Sequence, residues 1–128
     1  MESYINVNPK EFQKFKNVVA EEPVVMLNLL RYKEKIPETG ESGKTAYNRY
    51  MKAATPFLKK INAQVLFFGI PQHMLIGPTE ETLWDAVLLV RYPSFSDFIA
   101  MTKAEGYPAH LRELALSDSR LIHCKSIL

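Results

Sequence analysis

The stretches 84-WDAVLLVRY-92 and 24-VVMLNLL-30 are both of strand length, rich in Val and Leu, and apolar at odd and even positions alike. Successive side chains of a strand point to opposite faces, so such runs present apolar groups on both sides of a sheet. A third run, 64-QVLFFGI-70, reads the same way, and Ser119–Ile127 closes the chain as a fourth strand. The connection between the second and third strands contains Gly77-Pro78, and those two strands are expected to pair antiparallel.

Helical patterns fill the gaps between these runs. Ala46, Tyr47, Tyr50, Met51, Ala54, Leu58 and Ile61 recur at spacings of three and four, which puts them on one face of a helix from about Lys44 to Ile61. Pro56 predicts a kink or break near Thr55, because proline lacks the amide proton the helix needs. Ser94 is placed to cap a further helix, with Asp97 three residues on and a stripe of Phe95, Phe98, Ile99 and Thr102. Gly106 interrupts it, and Pro108 restarts a short helix with Leu111, Leu114 and Ala115. Near the start, Asn8-Pro9-Lys10-Glu11 supplies a cap, a first-turn proline and a Glu able to reach back, followed by a stripe of Phe12, Phe15, Val18 and Val19 that ends at Glu21-Glu22-Pro23. The segment 32-YKEKIPETGESG-43 reads as a mobile surface loop.

The order β-α-β-β-α-β is two split βαβ units, so the expected fold is α+β and ferredoxin-like, with an extra N-terminal helix. Both main helices then cover one face of a four-stranded antiparallel sheet, and the other face needs a cover of its own. Bare, it would exceed the roughly 300–600 Å² of a typical monomer's largest apolar patch. A second copy packed sheet to sheet is the simplest cover; the N-terminal helix is the alternative.

At 128 residues the chain has the length of one domain, 1–128, and enough of it to bury about two-thirds of its unfolded surface. Its 16 Lys and Arg and 14 Asp and Glu are scattered, which argues against a nucleic-acid partner. No basic start with an apolar run marks a secretory signal, and no apolar stretch approaches a membrane span. One cysteine, Cys124, allows no internal disulfide. These features point to a cytoplasmic protein without a membrane partner.

The segments PVVMLNLLRYK, AYNRY, LIGP, WDAVLLVRYPS with Phe98, and DSRLI resemble a family of short bacterial proteins of unknown function. The resemblance runs from about Val7 to Ile122. That family is placed in the dimeric α/β-barrel superfamily, which includes cofactor-free monooxygenases and small isomerases. The resemblance implies the fold and a homodimer, no cofactor, and a ligand site between the sheet and its helices; it transfers no catalytic residue.

The residues themselves offer several candidates. Asn28 lies mid-strand among Val, Met and Leu, where its amide must find partners or lose roughly 1–3 kcal/mol; it either supports a buried network or faces a cavity. Arg31, on the opposite face, clamps an anion or pairs with a loop glutamate. Tyr47 and Tyr50 share the buried stripe of the long helix, as core or as donors to a carbonyl- or phenol-bearing substrate. His110, in a helical first turn, has the range for acid–base work or is a surface histidine. Trp84 and Arg91 border the third strand and could wall a pocket. The sequence 38-ETGESGKT-45 imitates a phosphate-binding loop, but Glu38 replaces its first glycine. His73, His110, His123 and Cys124 lack metal-ligand spacing, so no metal is expected. Two functions stay open: a small cofactor-free oxygenase or isomerase using Asn28, Tyr47, Tyr50 and His110, and a non-catalytic ligand-binding or purely structural dimer.

Overall fold

The computed structural model describes residues 2–15 and 22–128. Its elements run α1 (Pro9–Phe15), β1 (Val24–Tyr32), α2 (Gly43–Lys60), β2 (Gln64–Gly69), β3 (Ala86–Tyr92), α3 (Phe95–Lys103), α4 (Ala109–Ala115) and β4 (Leu116–Cys124). The strands form one antiparallel sheet in the order β2-β3-β1-β4. This is the ferredoxin-like βαββαβ arrangement with an additional N-terminal helix.

Strict alternation runs along both central strands. Val24, Met26, Leu30, Ala86, Leu88 and Val90 are buried under the helices, whereas Val25, Leu27, Leu29, Val87 and Leu89 on the reverse are only half-buried. Across that reverse face Phe67, Leu89, Leu27 and Ile122 stand in one cross-strand row. The edge strand β2 is exposed along nearly its whole length, and a bulge shifts its register between Val65 and Phe67.

α1 does not cover the reverse face. Its Phe15 packs edge-on against Phe95 and Phe98 of α3 and lies 4.9 Å from the His123 ring, all on the helix side. Asn8 caps α1 by accepting from the amide of Lys10, while Glu11 pairs with Lys14 instead of reaching back to the cap. Val18, Val19 and Glu21 lie outside the described residues.

Three expectations are corrected. α2 runs unbroken through Pro56, because Ala54 and Leu58 are both held in the core and their burial outweighs the missing hydrogen bond. The stripe of α3 reaches the core through Met101, with Thr102 exposed. The 32–43 segment is anchored: Ile36 is completely buried, and its amide donates to Glu41 O while its carbonyl accepts from Gly40. Boundaries shift as well. β4 starts directly at the end of α4 and stops at Cys124, opposite Val25, where Pro23 ends the partner strand.

Candidate ligand cleft and its surroundings

Gly43 fixes the junction from which the site is built. Its amide donates to Lys33 O at 2.7 Å, and the Lys33 amide donates to Ala115 O at 2.9 Å. A Cβ on Gly43 would collide with these backbone atoms, so only glycine lets α2 start so close to the end of β1. The phosphate-loop-like motif thus serves packing. Its glycine amide is engaged, and the Ser42 hydroxyl caps α2 by accepting from Thr45 N.

Beside this junction lies a cleft of about 530 Å³, between the start of α2 and the far ends of β2 and β3. Phe68, Gly69, Ile70 and Ala86 form an apolar side, with the half-buried ring of Tyr32. Lys33, Glu34, Ser42, Lys44 and Asn48 supply polar groups opposite. Asp85, at the rim, accepts from the Tyr32 amide at 2.8 Å, which fixes the turn entering β3. The volume lies within the roughly 300–1,000 Å³ of small-molecule sites.

Behind the cleft is a cluster of phenols. The Tyr47 ring stands 5.7 Å from Tyr32 and 6.3 Å from Phe68, both cleft residues, and 5.3 Å from Tyr50. It therefore separates the cleft from a second cavity of about 40 Å³, lined by Asn28, Tyr47, Tyr50, Tyr92 and Tyr107 with apolar neighbours. The Tyr50 and Tyr107 hydroxyls are hydrogen-bonded at 2.5 Å, and Asn28 Nδ2 donates to Leu88 O at 3.3 Å. Burial pushes the phenol groups of Tyr47, Tyr92 and Tyr107 well above the ordinary tyrosine range and raises that of Tyr50, with the Arg112 guanidinium pulling the other way. They remain protonated donors at physiological pH.

The candidates named from the sequence fall in separate places. Asn28, Tyr47 and Tyr50 come together around the 40 Å³ cavity, which has room for water-sized species. Arg31 and Trp84 meet on the opposite face of the sheet, with the guanidinium 4.3 Å from the Trp84 ring centre. Arg31 pairs at 3.9 Å with Asp118 of β4, so the loop glutamate expected as its partner is replaced by a strand aspartate. Arg120 approaches the same Trp84 ring at 5.1 Å and Asp118 at 2.8 Å. Arg91 shares that face but sits at its other end, in register with Val25 and Gln64. His110 is exposed on α4. Among the described residues no cluster of His, Cys, Asp and Glu could hold a metal, and no helix is long and apolar enough to cross a membrane.

The cleft residues Lys33, Asn48 and Phe68 were not singled out by the sequence, and Lys44 entered only as the lysine of the phosphate-loop-like motif. Their one local signal is that Lys44 and Asn48 lie four apart on α2, on a side polar enough to read as solvated.

Among solved structures, the chain is similar to a methylated form of the RPA0582 protein, at 32% identity and a TM-score of 0.89, covering 100% of this chain and 98% of that one. It is also similar to RPA0582 of Rhodopseudomonas palustris, described as a protein of unknown function, at 31% identity, a TM-score of 0.87 and 99% coverage of both chains. A dimeric protein of unknown function with a ferredoxin-like fold from Bacteroides fragilis matches at 10% identity and a TM-score of 0.53, over 84% of this chain and 100% of that one, a likeness of fold alone. No protein-family model matches the sequence, and no curated protein does.

Proposed function

Because this chain belongs to the family of the RPA0582 protein of Rhodopseudomonas palustris, whose function is unknown, we propose from the geometry that it is a single-domain cytoplasmic homodimer that binds a small organic molecule. The observation that carries this is the cleft of about 530 Å³ between α2 and the ends of β2 and β3, apolar along Phe68 and Ile70 and edged by Lys33, Lys44 and Asn48. Such a lining suits a compact ligand with an apolar body and one polar or anionic group. The homodimer reading rests on the reverse sheet face, where Leu27, Leu89, Phe67 and Ile122 stand side by side, half-buried or exposed, and no helix of the described residues packs over them. A second copy burying about 800 Å² of each partner is what such a patch requires. The B. fragilis neighbour is described as dimeric.

Crystallographic fragment screening tests the ligand reading. Hits should gather between Phe68 and Lys44, and Phe68→Ala should weaken them about tenfold or more. Hits elsewhere, with none in the cleft, would sink it. Oxygenase or isomerase chemistry is the second reading, favoured by Tyr47, a phenol that lines the inner cavity and whose ring packs against the cleft residues Tyr32 and Phe68. Mass spectrometry of cleft ligands incubated with the protein in air tests it: an unchanged mass and an unchanged isomer profile for every ligand leave a binder without chemistry.

A further inference from the structure

The inner cavity has a hydrogen-bond inventory of its own. The side chains of Tyr47 and Tyr92 are 1% and 6% exposed, and neither hydroxyl is hydrogen-bonded to another described residue. No fully enclosed polar side-chain atom lacks a partner among the described residues, so these two oxygens border open space, and both side chains line this cavity. In the Tyr50–Tyr107 pair one hydroxyl donates to the other, which leaves one proton over. Asn28 Nδ2 uses one proton on Leu88 O and keeps one. Side chains with free donors thus line a space of about 40 Å³ together with Asn28, which also carries an acceptor, Oδ1.

The charge around it has one sign. Among the described residues no carboxylate lines the cavity. The Arg112 guanidinium acts on all four phenols in the direction that favours negative charge. Its Nη1 donates to Ile5 O at 3.0 Å, and among the described residues it has no acidic partner. A buried anion loses its hydration and is tolerated where donors and a nearby counter-charge replace it; here the phenols and Asn28 line the space, and Arg112, outside that lining, is the positive group that acts on it. We propose that the cavity bounded by Asn28, Tyr47, Tyr50, Tyr92 and Tyr107 is a binding site for one halide-sized anion. It is distinct from the organic-ligand cleft and does not depend on that reading.

Anomalous diffraction from bromide-soaked crystals tests the site, together with melting curves in potassium bromide against potassium gluconate at equal ionic strength. The expected result is an anomalous peak within hydrogen-bond distance of the Tyr47 and Tyr92 hydroxyls and a bromide-specific rise in Tm. Tyr47→Phe and Tyr92→Phe keep the rings and the packing, and each should weaken bromide by about tenfold, the effect of one lost hydrogen bond to a charged group. A cavity that holds only water in bromide overturns the proposal. So does a peak or Tm rise that survives unchanged in the double variant.

Discussion

The two faces of the sheet are built from the same residue types and meet different fates. Under the helices, Leu30 is fully buried and Leu88 is 4% exposed; on the reverse, Ile122 is 44% and Phe67 is 54% exposed. The covered face also gathers the polar exceptions, with Asn28, Tyr47, Tyr50 and Tyr92 buried, Tyr107 partly so, and several of them hydrogen-bonded. The bare face keeps its charged groups, Arg31, Asp118, Arg120 and Arg91, towards its two ends. The difference separates two kinds of stability. One face holds the chain together, and the other is the face that the proposed homodimer would cover.

The strongest way to break the covered face is alkali. The folded phenol groups titrate above the ordinary value of about 10, so below that pH folded and unfolded chains are equally protonated and this stability is fully present. As pH rises further, the unfolded chain ionises first and the stability is lost. Tyr47, Tyr92 and Tyr107, whose shifts are large, each add about 1.4 kcal/mol per pH unit to that loss, and Tyr50 adds to it in the same direction. Denaturant midpoints measured from about pH 9 upward should fall steeply, and a flat profile would contradict the buried cluster.

Leu30→Ala comes next. It should lower unfolding free energy by about 3–5 kcal/mol, at every protein concentration, in denaturant titrations. Leu27→Asp, one face over, should leave the fold intact but weaken dimerisation by about a hundredfold or more, read as halved mass in sedimentation. Equal behaviour of these two variants would erase the distinction between the faces. Tyr107→Phe should be the mildest, removing the bond to Tyr50 for about 1 kcal/mol by thermal melting.

Much of this was legible in the sequence. The runs VVMLNLL and AVLLV announced two apolar faces, and the spacing of Ala46 to Leu58 announced the helix over one of them. Which face the helices take does not follow from such runs, since both parities are apolar. Ile36 was missed because one apolar residue in a polar segment has no periodicity to betray it; its burial depends on the turn closed by Gly40 and Glu41. The Arg31–Asp118 pair and the cleft itself bring together residues from distant parts of the chain, which local spacing cannot express. Asn28, Tyr47 and Tyr50 did meet around one cavity. Arg31, Trp84 and Arg91 belong to the other side of the sheet.

The bulge in β2 bears on solubility. An edge strand with free amides and with Val65, Leu66, Phe67 and Phe68 all exposed is a template on which further chains can stack into fibrils. The irregular step between Val65 and Phe67 breaks the even spacing that such stacking needs, so that one misaligned residue works as a guard against aggregation.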